Sequence, residues 1–241
     1  MRFRQFHGWT VTPGEARDIQ LELRKKWEGK DRFPRIRTVA GLDAAFVLTG
    51  SQALKVSRWE RLREANRAIG GVVVFRYPEM EKVELAYAVE PLRFPYVPGL
   101  LSFREVPVLL AALAKLKKMP DLLFCDGQGY AHPRRFGLAC HVGVWAGKPS
   151  IGCAKSVLIG EHGPLPEKAG SWTELRDDDE VIGAAVRTRN GVRPVYVSQG
   201  YRVSLKTAIQ MTLAVCDGLR IPKPTREADQ LVAEVKRSLL S

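Results

Sequence analysis

Between Thr12 and Trp27 the apolar positions Ala16, Ile19, Leu23 and Trp27 recur every three or four residues, the spacing of one helix face. They follow Thr12-Pro13-Gly14-Glu15, which joins an N-cap, a proline at the first helical position and a capping-box glutamate, so the pattern predicts a first helix. Three runs rich in apolar residues come next, Ile36 to Leu48, Gly71 to Arg76 and Val83 to Val89, and read as successive strands. The stretch from about Ser51 to Ala68 between the first two is too long for a hairpin turn, and its Leu54, Trp59, Leu62 and Ala65 suit a helical insertion. Beyond Phe94-Pro95-Tyr96-Val97-Pro98-Gly99 a helix is expected from about Ser102 to Lys118, then a strand from Asp121 to Asp126. A strand, a crossover helix and a strand imply parallel pairing within a mixed sheet. Phe136, Cys140 and Val144 sit at helical spacing within His132 to Gly147, and Ser150 to Ser156 reads as a short buried strand. Arg189-Asn190-Gly191 is a hairpin signal between Val181 to Thr188 and Val192 to Ser198. Two capped amphipathic helices, Ser204 to Asp217 and Thr225 to Leu240, flank the stop signal Gly218 to Pro222.

Length changes the picture little: 241 residues at 45% hydrophobic suit one α/β domain spanning residues 1–241, with no Pro/Gly/Ser-rich linker to divide it. Neither an apolar run of membrane-spanning length nor a signal-peptide pattern is found, so the default location is the cytoplasm, associated with the nucleoid; a monomer is the separate expectation for its assembly. Cys125, Cys140, Cys153 and Cys216 lie in apolar strand or helix patterns without a CxxC pair, which favours reduced thiols over zinc or disulfides. Charge adds more. With 38 Lys+Arg against 26 Asp+Glu, a formal +12, the chain favours phosphate-rich ligands, although many basic proteins bind none. The basic residues are spread over Arg24 to Lys26, Arg32 to Arg37, Arg58 to Arg67, His132 to Arg135 and Arg187 to Arg193, which indicates a folded positive face rather than a tail.

Against that positive background three carboxylates stand out: Asp43 within TVAGLDAAFVL, Glu105 in PYVPGLLSFRE and Asp126 closing DLLFCDGQG. A carboxylate in a buried strand is costly unless paired, hydrogen-bonded or bound to a cation. Oxygen ligands of this kind suit Mg²⁺ or Mn²⁺, and the resulting site suits phosphodiester hydrolysis. Plainer accounts exist for two of them. Asp126-Gly127 also fits a strand-ending turn, and Ser102-Phe103-Arg104-Glu105 has the form of a capping box. Asp43 has no obvious local partner, so a shared acidic site is the more economical account.

Longer blocks carry a family likeness. VAGLDAAF around Asp43, PYVPGLLSFRE from Pro95 to Glu105, DGQGYAHPRRFGLACHVGV from Asp126 to Val144, IGCAKS from Ile151 to Ser156 and PKPTREAD from Pro222 to Asp229 strongly resemble endonuclease V, in order and over most of the chain. The resemblance implies a ribonuclease H-like fold, a mixed central β-sheet flanked by helices. It further implies a Mg²⁺-dependent endonuclease, with Mn²⁺ able to substitute, that recognises hypoxanthine in DNA containing deoxyinosine or other deaminated bases. Cleavage would fall at the second phosphodiester bond 3′ to the lesion, leaving 3′-hydroxyl and 5′-phosphate ends; inosine-containing RNA stays open as a second substrate. By the same resemblance Asp43 and Asp126 carry the metal, Glu105 holds its water or a second metal, and Lys155 neutralises charge on the phosphate. Tyr96 becomes the aromatic wedge of a base-flipping site, stiffened by Pro95 and Pro98. Backbone groups near Gly99, Leu101, Gly127, Leu138 and Gly152 shape the base pocket, while His132 contacts phosphate or completes the polar site.

One departure bears on the metal. Where the family commonly has a histidine in an S-x-G-H segment, the chain reads Ser198-Gln199-Gly200-Tyr201. A phenol is a hydrogen-bonding group rather than a neutral-pH ligand. Tyr201 is therefore a candidate contact to the metal's water, and a non-catalytic lesion-binding protein is the alternative reading.

Overall fold

The computed structural model describes residues 3–49 and 64–240. Helix α1 spans Pro13–Arg24 and begins as its sequence dictates: Thr12 Oγ1 accepts the Glu15 N–H at 3.3 Å while the Glu15 carboxylate accepts the Thr12 N–H at 2.7 Å. Trp27 lies beyond the C-cap and stacks on Tyr130 with ring centroids 4.4 Å apart.

The centre of the molecule is a sheet. Its strands are β1 (Thr38–Val47), β2 (Arg67–Arg76), β3 (Glu81–Pro91), β4 (Leu122–Cys125), β5 (Ser150–Ala154), β6 (Glu161–His162), β7 (Trp172–Asp177), β8 (Glu180–Val186) and β9 (Val195–Tyr201). They lie in the order β3-β2-β1-β4-β5-β9-β8-β7-β6. The β1–β4 and β4–β5 pairs are parallel and the other neighbours antiparallel, giving the expected mixed, ribonuclease H-like sheet. Parallel strands are covered on both faces, which explains why Leu122 to Cys125 is apolar at every position. Helices α2 (Ser102–Ala114) and α3 (Leu138–Ala146) cover one face, burying Leu109, Leu113, Cys140 and Val142 with Ala40, Leu42, Leu123 and Cys125. Helices α4 (Leu205–Ala214) and α5 (Lys223–Leu240) cover the other, where Ala208, Ile209 and Ala228 meet Val39, Val73, Leu122 and Phe124.

Several boundaries differ from the pattern. β2 begins at Arg67, so the last two residues of the expected insertion belong to a strand; residues 51–63 of that segment lie outside the described residues. α2 ends at Ala114, and residues 132–137 form a loop rather than the first turns of a helix. β6 and β7 extend the sheet through the partly exposed segments 161–162 and 172–177, whose charged residues mask strand alternation. Among the described residues no helix is long and apolar enough to cross a membrane, and all four cysteines are free.

Candidate active site

Parallel pairing of β1 with β4 matches Leu42 to Cys125, and the Asp126 N–H donates to the Leu42 carbonyl at 3.1 Å. The next residue on each strand, Asp43 and Asp126, therefore emerges at the same carboxyl edge of the sheet, where α/β proteins bind ligands. A third acid comes from α5. Gly41, two residues before Asp43 on the same strand face, lets the backbone of Pro224 lie against β1: a Cβ at Gly41 would stand 1.8 Å from the Pro224 carbonyl oxygen. One helical turn beyond Thr225, Asp229 reaches the other two aspartates, and one carboxylate oxygen from each of the three lies within 4.8 Å of the others.

Lys155, just past the end of β5, supplies the facing cation. Its Nζ is 2.5 Å from Asp126 Oδ2 and 3.9 Å from Asp229 Oδ1. Burial works against the ammonium, but Asp126, Asp229 and Asp43 together outweigh it and raise the lysine's pKa. One lysine does not neutralise the cluster. Burial, followed by the Asp126 charge, pushes the Asp43 carboxyl up to about 8, and burial raises Asp126 despite Lys155. Glu105 approaches from α2 on the opposite face of the sheet and is buried; desolvation, then the charges of Asp43 and Asp126, hold its carboxyl well above the usual range. Its sequence setting had a second reading as a helix cap, which the structure removes. The N-cap of α2 is Leu101 without a side-chain bond, and the Ser102 hydroxyl is 3.0 Å from His141 Nδ1.

Beside the acids lies a cleft of about 390 Å³ lined by Tyr96, Gly99, Leu101, Gly127, His132, Leu138 and Lys155, with Asp126 at its edge. Residues from three separate sequence blocks thus meet in one place. Gly152 stands behind the turn after β4, paired with Cys125 and Ser198 within the sheet. Tyr96 is 41% exposed at the rim, with the Arg104 guanidinium 5.9 Å from its ring centroid and 4.6 Å from that of Phe46. The loop carrying it is tied down at Gly99, whose φ of +74° suits glycine. The Gly99 carbonyl accepts from Gln20 Nε2 at 3.3 Å, His132 Nε2 at 3.0 Å and Arg134 Nη2 at 2.6 Å. His132 Nδ1 accepts the Arg134 N–H at 3.2 Å, so both ring nitrogens are engaged within the protein. Burial, then neighbouring arginine charge, lowers its pKa to about 4, so the ring is neutral and serves as an anchor of the loop.

Tyr201 is not brought to the acids. In the antiparallel β5–β9 pair it lies opposite Ser150, at the end of β5 remote from Lys155, and its hydroxyl donates to Glu28 Oε1 at 3.2 Å. A motif position gives no distance, and strand direction carries this residue away. Tyr201→Phe is accordingly expected to cost about 1 kcal/mol of stability for the lost hydrogen bond and to leave any response of stability to added Mg²⁺ unchanged. Denaturant unfolding and a Mg²⁺ titration check both parts.

Asp229 is the site residue that sequence reading left without a role. The available signal was the block PKPTREAD, a proline-marked helix start with Asp four residues after Thr225.

The structure's likeness to solved molecules agrees with this geometry. An endonuclease V from Streptomyces avermitilis superposes with a TM-score of 0.85 at 39% identity, covering 97% of each chain. The Ciona intestinalis endonuclease V, solved in complex with a 24mer DNA containing an inosine followed by a ribo-adenosine, superposes with a TM-score of 0.76 at 26% identity over 94% of this chain and 98% of that one. Endonuclease V of Roseiflexus castenholzii is 51% identical over 228 residues, 95% of each chain. The Endonuclease V family model matches residues 21–230, and the chain belongs to that family of nucleases.

Proposed function

We propose that this chain is a Mg²⁺-dependent DNA repair endonuclease for deaminated adenine, one catalytic domain acting as a monomer that cuts the second phosphodiester bond 3′ to the lesion and leaves 3′-hydroxyl and 5′-phosphate ends. The observation that carries the reading is the convergence of Asp43, Asp126 and Asp229 at the edge of the cleft overlooked by Tyr96. The donor set fits a hard divalent cation: all-oxygen, multiply anionic and short of local positive charge. Asp43, Asp126 and Asp229 would hold the ion, which when bound supplies charge to a phosphoryl oxygen, orients water and stabilises the leaving alkoxide. Lys155 places an ammonium beside Asp126, where it neutralises charge developing on the phosphate. Glu105, buried behind the aspartates, would hold the ion's water or help form a second metal site. Tyr96 fills the stack vacated by an extruded base, and the backbone at Gly99, Leu101 and Gly127, with the Leu138 side chain, encloses that base.

The inosine-containing DNA held by the Ciona relative supports DNA as the substrate, and a flipped hypoxanthine is the same base in RNA. Location in the cytoplasm with the nucleoid follows from that substrate. The non-catalytic alternative rested on Tyr201 as a damaged metal site; the three aspartates form their cluster without it. Cleavage of matched inosine DNA, inosine RNA and unmodified strands, with and without Mg²⁺ or Mn²⁺, tests the proposal. Mg²⁺-dependent nicking confined to inosine strands is expected, and equal cutting of unmodified DNA refutes it.

Tyr96→Ala is expected to lower preference for inosine sites by about 1–3 kcal/mol, the worth of one base-stacking aromatic, while the salt dependence of DNA binding stays near that of the wild type. Competition binding at several salt concentrations reads both quantities.

Stability should also report the acids. Without metal, the folded protein retains a proton on Asp43 between the ordinary value of 3.8 and about 8, whereas the unfolded chain has released it. The native state binds more protons across that window, so stability falls as pH rises through it. Mg²⁺ or Mn²⁺ should then stabilise more at pH 8 than at pH 5, which unfolding in chelator and in metal measures. Equal metal effects at both pH values would count against the aspartates as ligands.

A further inference from the structure

We infer that the N-terminal arm, residues 3–11, is the seat of the lesion-reading loop, with His7 acting as a positioning residue through His141 and Ser102. The inference rests on the function proposed above. Two independent sets of contacts carry it.

The first is a chain of hydrogen bonds, exposed at Gly8 and buried at Ser102, whose direction is fixed at one end. His7 Nδ1 lies 2.6 Å from the Gly8 carbonyl, which only accepts, so this nitrogen bears the proton. Burial lowers the pKa of His7, and burial followed by His7 lowers that of His141 well below the ordinary value, so both rings are neutral. His7 Nε2, 3.1 Å from His141 Nε2, must then accept from it. That leaves His141 Nδ1 as an acceptor, and the Ser102 hydroxyl, 3.0 Å away, donates to it. Ser102 opens α2 and follows Leu101 in the wall of the cleft.

The second is apolar. Trp9 and Val11 of the arm pack on the cluster of Phe94, Leu100 and Phe103, which brackets the Tyr96 loop on both sides. Trp9 also lies 4.8 Å, centroid to centroid, from Trp145 of α3, and His7 lies 5.0 Å from the same indole. The arm thus holds both ends of the loop that presents Tyr96.

Amide hydrogen exchange of residues 99–104 in the free full-length protein, paired with steady-state cleavage of an inosine duplex, tests this. In His7→Ala the exchange of these amides should speed up about tenfold, the mark of an easier local opening. KM for the inosine duplex should rise about fivefold, a scale set by one buried hydrogen bond, with kcat unchanged. His7→Gln, whose amide oxygen accepts the His141 N–H, should restore both values toward the wild type. Unchanged exchange and KM in a folded His7→Ala protein overturn the inference, as does a fall in kcat at constant KM. If the wild type cuts no inosine strand, the functional proposal fails, while the exchange comparison still decides whether the arm seats the loop.

Discussion

Asp43→Asn and Asp126→Asn proteins are expected to fold, to keep their affinity for DNA, and to lose metal-dependent cleavage of inosine strands by at least about a hundredfold, the scale of removing one preorganised electrostatic contact. Asparagine preserves the volume of each side chain and removes its charge. The cluster makes the result specific, because Asp43 is pushed up to about 8 by burial and by Asp126, its neighbour across the parallel pair. Removing either charge relieves that repulsion. The metal-free Asp43→Asn variant should therefore be at least as stable as the wild type at pH 8, whereas Asp126→Asn also loses the ion pair with Lys155; both should gain less from added Mn²⁺. A folded variant with wild-type turnover would exclude that aspartate from the metal centre.

Gly41→Ala is expected to have the largest effect of any one-methyl change near the site, a loss of about 3 kcal/mol by overpacking. In most strands this substitution helps, since alanine loses less backbone entropy on folding. Here the added carbon would sit 1.8 Å from the Pro224 oxygen and 2.7 Å from the Thr225 nitrogen, both backbone atoms that no rotamer change can move. Helix α5 must shift, and Asp229 moves with it. Denaturant unfolding and Mn²⁺-induced stabilisation should both weaken; a variant as stable as the wild type would mean that the helix does not rest on this strand as closely as described.

Much of the central sheet could be read from residues because its signals are local. An aspartate inside TVAGLDAAFVL is conspicuous, and so is one closing DLLFCDGQG, since burial makes a carboxylate costly. Asp229 was harder to see. It is exposed on an amphipathic helix rich in charge, where an acid looks like part of a solvated face, and its role comes from a close approach between Gly41 and Pro224 that no periodicity encodes. The anchoring of the Tyr96 loop is hidden for a related reason. His132 and Arg134 act on a backbone carbonyl 33 and 35 positions away, a partner with no side-chain identity to recognise. Tyr201 shows the opposite error, a motif position given a role before the direction of its strand was known.

The three aspartates come from β1, from the end of β4 and from α5, so the cluster spans residues 43 to 229. No shorter stretch of the chain contains it. During synthesis the first two acids leave the ribosome long before the third, and they gain their partner only when the last helix closes against the opening strand. On the function proposed above, a nascent chain, or one lacking the last helix, is expected not to cleave nucleic acid until the third aspartate arrives. Such long-range closure also belongs to the slow end of folding, because contacts between distant parts of a chain form late.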